Sequence, residues 1–452
     1  MPPSATLVQS SASPRRFPDH LLVDLAGAIA VCVMLLGSLP LAIAVLAGTA
    51  TAILLARPQV IVLAGMVAVP LLGDSPNLNR GLLLLVAMLG VSSGRHSLEG
   101  RARMPARATV ALPLLVVWIA TSVVLTPAGP LGGPSTSEVI QPLVGATVAL
   151  VAALFPIHAR ELAAAAVPGV LLVSLSIIQG STGEAGRVRA LGLNPDYLAI
   201  LVVLMLAAAL VGGLSSRLTI LANLAVWPVG LLALERTQSR GALIALAVGI
   251  SAYFLSRHRD RLLERRRLVL AIVTVLVVLV ALPWLVDTLA AQFLSTRTEL
   301  DYASSNQERK LALLGSLRLI VEHPALGIGY GHFPSVAAGL PGLLDYVNTH
   351  NEYTRFGAEL GVLGLILLMM PLLSAIRSAA GARSRNVLAV LLAMAAGMLA
   401  GNFLNSVVTA YPFWVALGMG LSLRATALDP HGRRRRRYLG VQDSTSSERT
   451  RA

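Results

Sequence analysis

The sequence predicts an all-α, polytopic transmembrane helical bundle of about 12–14 spans carrying one large extracytoplasmic loop. Three observations lead there. Hydrophobic residues make up 55% of the 452 positions and charged residues 13%, with a mean hydropathy of +0.74, too few charges to clothe a water-facing globule. Apolar runs of about 15 to 20 residues recur along the chain, and at roughly 1.5 Å per residue each reaches across most or all of a bilayer core. Arginines, finally, gather in alternate connections between those runs.

Residues 1–20 are polar and Ser/Pro-rich, with no signal-peptide cleavage pattern before the first apolar run, and read as a disordered cytoplasmic lead. The transmembrane domain spans 21–425. Its apolar runs lie near 21–37, 40–56, 58–73, 80–94, 108–126, 138–155, 161–178, 196–213, 218–234, 241–256, 268–286, 357–375, 386–402 and 406–423. The first four are crowded, which leaves twelve spans as the alternative; the parity is even in both. Cys32 lies in the first run and, as the single cysteine, has no internal disulfide partner.

Arg95, Arg101, Arg103 and Arg107, the cluster from Arg257 to Arg267, Arg377, Arg383 and Arg385, and Arg433 to Arg437 all fall on one side of a fourteen-span arrangement. The positive-inside tendency makes that side cytoplasmic. Both termini are then cytoplasmic, and the one long polar stretch, 287–353, is extracytoplasmic. The Arg-rich, disordered tail at 426–452 holds topology and meets anionic lipid, a simpler role for the net charge of +14 than nucleic-acid binding.

Outer-face arginines run against that tendency, so topology does not explain them. Arg187 and Arg189 lie after the seventh run, Arg236 and Arg240 between the ninth and tenth, and Arg297, Arg309, Lys310 and Arg318 in the long loop. A guanidinium fork suits bidentate contact with phosphate oxygens, so several converging would hold a lipid diphosphate. The plainer alternative pairs Arg236 with Glu235 and Arg187 with Glu184. Arg240 resists it, because a charge at the start of a span is costly unless matched.

Within the loop, Asn306 to His323 reads as a helix lying along the membrane surface, with Leu311, Leu314, Leu317 and Val321 on one stripe and Arg309, Lys310, Arg318 and Glu322 away from it. Pro324 ends it and Gly327-Ile-Gly329-Tyr-Gly331 follows as a tight turn. Thr349-His350-Asn351-Glu352 fits a capping box that starts the next helix. His350 and Asn351 then occupy its first turn, where the positive end of the dipole disfavours imidazolium and leaves His350 neutral, able to act as a general base beside a phosphate. Arg355 and Glu359, four apart, are expected to pair. His323 and His332 lack a carboxylate or second histidine at the spacing of a helical metal site, and no metal or cofactor is expected.

Taken in order, Arg189-Ala-Leu-Gly192-Leu-Asn194-Pro195, Thr237-Gln238-Ser239-Arg240-Gly241, Glu308-Arg309, His323-Pro324 through Gly331, and His350-Asn351-Glu352-Tyr353 with Glu359-Leu360-Gly361 to Gly364 resemble the O-antigen ligase and polymerase superfamily of bacterial membrane proteins. The resemblance implies a metal-independent, inverting glycosyltransferase of the GT-C-like helical architecture in the bacterial plasma membrane, acting in cell-surface polysaccharide biosynthesis. It would move a glycan from a polyprenyl diphosphate carrier to a lipid, protein or glycan acceptor at the outer face. Carried over, Arg189, Arg240 and Arg309 hold the donor diphosphate and His350 deprotonates the acceptor hydroxyl, with Thr349, Asn351 and Glu352 in support. A polymerase that extends the lipid-linked glycan is the alternative within the superfamily. An anion or solute transporter is the alternative of another class, disfavoured because no inverted repeat is visible and the polar residues collect at one face. A structural scaffold would leave the outer arginines dispensable.

Overall fold

Uniform hydrophobicity around a helix leaves it no wet face, and the chain places such a helix at its centre. The computed structural model describes residues 63, 65–70, 106–126, 136–154, 157–182, 188–210, 217–257, 299–337, 339, 348–382 and 384–427, all within one unit, Ile61–Ala452. The lead at 1–20, the apolar runs near 21–37, 40–56, 80–94 and 268–286, residues 287–298 of the long loop, Arg187, and the tail beyond 427 lie outside the described residues.

The described helices are α1 (Ala106–Leu125), α2 (Thr136–Leu154), α3 (Ala159–Gln179), α4 (Pro195–Ala209), α5 (Arg217–Thr237), α6 (Arg240–Arg257), α7 (Glu299–Glu322), α8 (Phe333–Ala337), α9 (Glu352–Gly381), α10 (Arg385–Gly397) and α11 (Val407–Ala427). A two-stranded antiparallel ribbon, β1 (Ser181–Thr182) with β2 (Val188–Arg189), interrupts the all-α expectation between α3 and α4, with Ser181 opposite Arg189. Pro113, Pro142, Pro168, Pro228, Pro371 and Pro412 lie inside helices, a usage more common in membrane than in water-soluble helices. Two of the described helices, α3 and α9, are long and apolar enough to cross a membrane by length and composition.

Helix α4 is the axis of the bundle. Asn194 caps it, accepting from the amides of Asp196 and Tyr197, and Pro195 at its first position has no amide to leave unpaired. Every residue from Leu198 to Ala209 is fully buried, against α3, α5, α6, α10 and α11. A second layer packs α2 on α11 and both α1 and α11 on α9.

Helix α9 is broken at Gly361, whose φ of 71° lies in the left-handed region. A Cβ there would stand 2.4 Å from the Ala325 carbonyl oxygen, so only glycine fits. The break orphans three carbonyls, and each finds a donor elsewhere: Ala358 O accepts from Ile328 N at 2.9 Å, Glu359 O from Gly329 N at 2.9 Å, and Leu360 O from Trp118 Nε1 at 3.0 Å. Val362 N donates in turn to Pro324 O at 2.8 Å. Gly327, Gly329 and Gly331 all have positive φ, as expected of a tight turn. Gly327 has a packing reason as well, since a Cβ would lie 2.3 Å from the Glu359 carbonyl carbon. The turn is thus a cap for a broken helix.

The helix expected over 306–323 begins earlier, at Glu299, and stops at Glu322 before Pro324. Leu313, Leu314, Leu317 and Val321 are exposed, while Leu311 is half-buried. The opposite face packs Ala312 and Leu319 with Phe333, Ala337 and Ala358. Arg318 bridges to Glu322 at 2.7 Å on the exposed side.

Candidate functional site

The start of α9 departs from the expected capping box. Asn351 is the N-cap, its Oδ1 accepting from Tyr353 N at 3.0 Å and Thr354 N at 3.2 Å. Neither half of a box centred on Thr349 is available. The Glu352 amide donates to Met398 O at 2.8 Å, and the Glu352 carboxylate accepts from Leu404 N at 3.3 Å and from Arg355. His350 therefore stands before the N-cap rather than in the first turn, held at φ 52°. For a residue with a Cβ that conformation costs about 1–2 kcal/mol.

Among the described residues two other non-glycine positions share it, Leu191 and Gln238, both at φ values above 50°. Leu191 and Gly192 form the centre of a turn closed by Leu193 N donating to Ala190 O at 2.9 Å, both with positive φ as a mirror-image turn requires. Gln238 precedes Arg240 in the break between α5 and α6. Each of the three thus falls in one of the separated motifs, and such strain persists where surrounding structure over-determines it.

The structure brings Arg309 to His350. His350 Nε2 lies 3.6 Å from Glu308 Oε1, and the Arg309 guanidinium and the Asp196 carboxylate act on the same imidazole. Burial first and Arg309 second hold that imidazole below its ordinary pKa, against the opposing pull of Glu308 and Asp196. The expected direction agrees; the cause is burial and a guanidinium rather than a helix dipole. Arg309 Nε is buried and makes no hydrogen bond among the described residues. Arg189 is exposed at the end of β2, which packs beside α3 and α5, and half-buried Arg240 opens α6. β2 packs on α3 and α5 whereas α6 packs on α4 and α10, so the two arginines stand on elements with different neighbours.

Below the junction, Arg355 is the centre of a buried ionic cluster. It pairs with Glu359 at 3.0 Å, as the spacing predicts, and also with Glu352 at 3.3 Å; all three side chains are at most 3% exposed. Arg355 donates further to Asn405 Oδ1 and lies 4.8 Å from the Tyr330 ring centroid, while Glu359 accepts from Phe333 N at 3.2 Å. Glu352, expected as a support for the capping box, belongs to this cluster instead. Of the histidines at the glycine turn, His323 is exposed and His332 is buried with Nδ1 3.1 Å from Tyr330 O.

Sequence reading overlooked the turn between α10 and α11. The apolar run expected to 402 ends its helix at Gly397, and residues 398–406 form an irregular turn with one 3-10 segment, Phe403–Asn405. Thr349 Oγ1 donates to Asn402 Oδ1 at 3.0 Å, and Tyr197 Oη donates to Asn402 O at 3.0 Å. Gly241 comes so close to Ala400 that an added Cβ would lie 2.6 Å from its Cβ. From the far side Gln141 Oε1 accepts from Val407 N at 2.7 Å. Gly401-Asn402 and Asn405-Ser406, polar pairs between two apolar runs, were the visible signal. Glu308 was marked only as the neighbour of Arg309 in the Glu308-Arg309 motif, and Asp196 carried no signal beyond its charge.

No curated protein matches the chain. Residues 224–369, roughly a third of its length, match the family described as O-antigen ligase, a segment that holds Arg240, Arg309, His350 and the Arg355 cluster but neither Arg189 nor the 398–406 turn. That family groups membrane glycosyltransferase-like enzymes of polysaccharide biosynthesis, and the match supports the resemblance of this chain to the O-antigen ligase and polymerase superfamily over residues 224–369.

Proposed function

We propose that the chain is a ligase-type glycosyltransferase that moves a glycan from a polyprenyl diphosphate carrier to an acceptor hydroxyl at the outer face of the bacterial plasma membrane, with both termini cytoplasmic. The observation that carries this reading is the approach of half-buried His350 to Glu308, at 3.6 Å, within the electrostatic reach of the adjoining Arg309, whose Nε is buried without a hydrogen bond among the described residues. A neutral imidazole accepts a proton and a guanidinium accepts phosphate oxygens. In the proposed reaction His350 takes the acceptor hydroxyl proton as that oxygen attacks the anomeric carbon from the face opposite the diphosphate. The glycosidic bond to the carrier breaks, and the electron pair leaves on the diphosphate oxygen with inversion. Arg309, Arg240 and Arg189 stabilise the negative charge growing there, and fixed cations aimed at developing charge lower the barrier without a metal. Asn351 supports by capping α9, and Thr349 by tying the His350 segment to Asn402.

The test is transfer by the full chain in proteoliposomes given a polyprenyl diphosphate-linked glycan and an acceptor lipid, with no nucleotide. His350→Ala is expected to lower turnover by about 10²–10⁴-fold, the usual contribution of a positioned base. Arg240→Ala is expected to weaken donor binding with the fold intact. Full transfer by His350→Ala would remove the base assignment. A ladder of lengthened carrier-linked products would replace ligase by polymerase, and movement of solute without transfer would replace both by transport.

A further inference from the structure

Three separated segments of the candidate site, 189–197, 237–241 and 349–355, lie far apart in sequence but all rest on the same turn, 398–406. Tyr197 reaches it twice, through its hydroxyl to Asn402 O at 3.0 Å and through an edge-on ring contact with Phe403 at 5.7 Å between centroids. Gly241 lies against Ala400. The His350 segment is fixed at four points: Thr349 Oγ1 to Asn402 Oδ1, Glu352 N to Met398 O, Leu404 N to the Glu352 carboxylate, and Arg355 to Asn405. Asn402 is the shared member, bonding the residue before His350 with its side chain and the residue after Asp196 with its carbonyl. It is 5% exposed, in a turn whose Met398 and Asn402 carbonyls accept from these partners.

We infer that the 398–406 turn is a fourth wall of the site and that Asn402 is a positioning residue, which holds His350 against Arg309 by clamping the Thr349 and Tyr197 segments together. His350 at φ 52° supplies the need for a clamp, because a strained backbone relaxes once its neighbours stop fixing it. The effect is transmitted over one hydrogen bond, Asn402 to Thr349, one residue from the imidazole. The inference rests on the reading of His350 as the base only where turnover is measured.

Its test therefore has two arms on the full chain in proteoliposomes. In the first, carbethoxylation of His350 by diethyl pyrocarbonate is followed against pH by mass spectrometry, since only the neutral imidazole reacts. The charged groups that face this imidazole are Glu308 and Arg309 from α7 and Asp196 from α4. Asn402→Ala is expected to move the midpoint upward, toward the ordinary imidazole value, as His350 leaves its buried place beside Arg309. Thr349→Val, which deletes the same hydrogen bond from its other end, is expected to move it comparably, and Tyr197→Phe, which removes the bond to the Asn402 carbonyl that Asn402→Ala leaves in place, to move it in the same direction. In the second arm, Asn402→Ala lowers kcat by about 10–100-fold while donor KM stays within about threefold, the pattern of a misplaced base. The Thr349→Val/Asn402→Ala double variant is expected to be no worse than Asn402→Ala alone, because both remove one interaction. Additive losses, or an unmoved midpoint in Thr349→Val and Tyr197→Phe, would overturn the inference even if Asn402→Ala failed to fold. Transfer surviving in His350→Ala would refute the base assignment and leave the carbethoxylation arm to judge the clamp by itself.

Discussion

Helix α4 and the first two turns of α9 are buried to the same degree by opposite means. From Leu198 to Ala209 no residue of α4 is ionisable and none is exposed, so its position is set by non-directional packing against five helices. In α9, Glu352, Arg355 and Glu359 are equally hidden, yet each charge is matched at hydrogen-bond distance by a partner from a different segment. Packing of the first kind tolerates small shifts. Charges in the second place cannot shift without losing partners, and so they fix the junction that carries His350. The difference teaches that depth alone does not mark a site; directional bonds between segments distant in sequence do.

The sharpest way to break the comparison is at Arg355. Arg355→Met leaves two buried carboxylates without a cation and is expected to cost about 3–5 kcal/mol of stability, read as a fall in melting temperature of the solubilised protein. Replacing the whole cluster, Glu352→Gln/Arg355→Met/Glu359→Gln, should recover much of that loss but not transfer, since the neutral set no longer fixes the junction. A melting temperature unmoved by Arg355→Met would mean that the cluster is no more directional than α4. Leu201→Ala in α4 is expected to cost about 3 kcal/mol through the cavity it leaves. Its turnover per folded molecule should be unchanged, and a matching drop in turnover would place α4 in the same coupled unit as the junction. Gly361→Ala, forced into a positive φ and against Ala325 O, is expected to cost about 2 kcal/mol and to loosen the 324–333 turn toward proteolysis.

The smallest effects are in the pH profile and sharpen the junction side alone. The base role proposed for His350 needs the neutral ring, so on that proposal kcat/KM falls as pH drops through its pKa. Arg309 holds that pKa down; Arg309→Met raises it, and activity is lost at a higher pH on acidification. Glu308 pulls the other way, so Glu308→Gln shifts the acidic limb downward. Shifts of the same sign in both variants would refute the arrangement.

Most of the helices were legible because their cause is local. The run near 161–178 became Ala159–Gln179 and that near 241–256 became Arg240–Arg257, since a stretch of apolar residues this long buries its backbone only as a helix. The run near 386–402 misled: it is as apolar as the others almost to its end, but its helix stops at Gly397, where Met398 O, Asn402 and Leu404 N turn to partners on other segments. The capping box failed for a related reason. Thr349 and Glu352 have the right spacing, and both are claimed by the 398–406 turn, leaving the cap to Asn351.

By itself the sequence determined the helical class and the Arg355–Glu359 pair, because composition, periodicity and four-residue spacing act within a few residues of each other; Arg189, Arg240, Arg309 and His350 stood out only through their expected outer-face placement and the resemblance. Only the tertiary structure decided that Arg309 and Glu308 face His350, that Arg355 holds two carboxylates rather than one, and that Asn402 joins Tyr197 to Thr349. Those contacts satisfy single buried donors and acceptors across segments distant in the chain, and which partner each group takes depends on where packing leaves it.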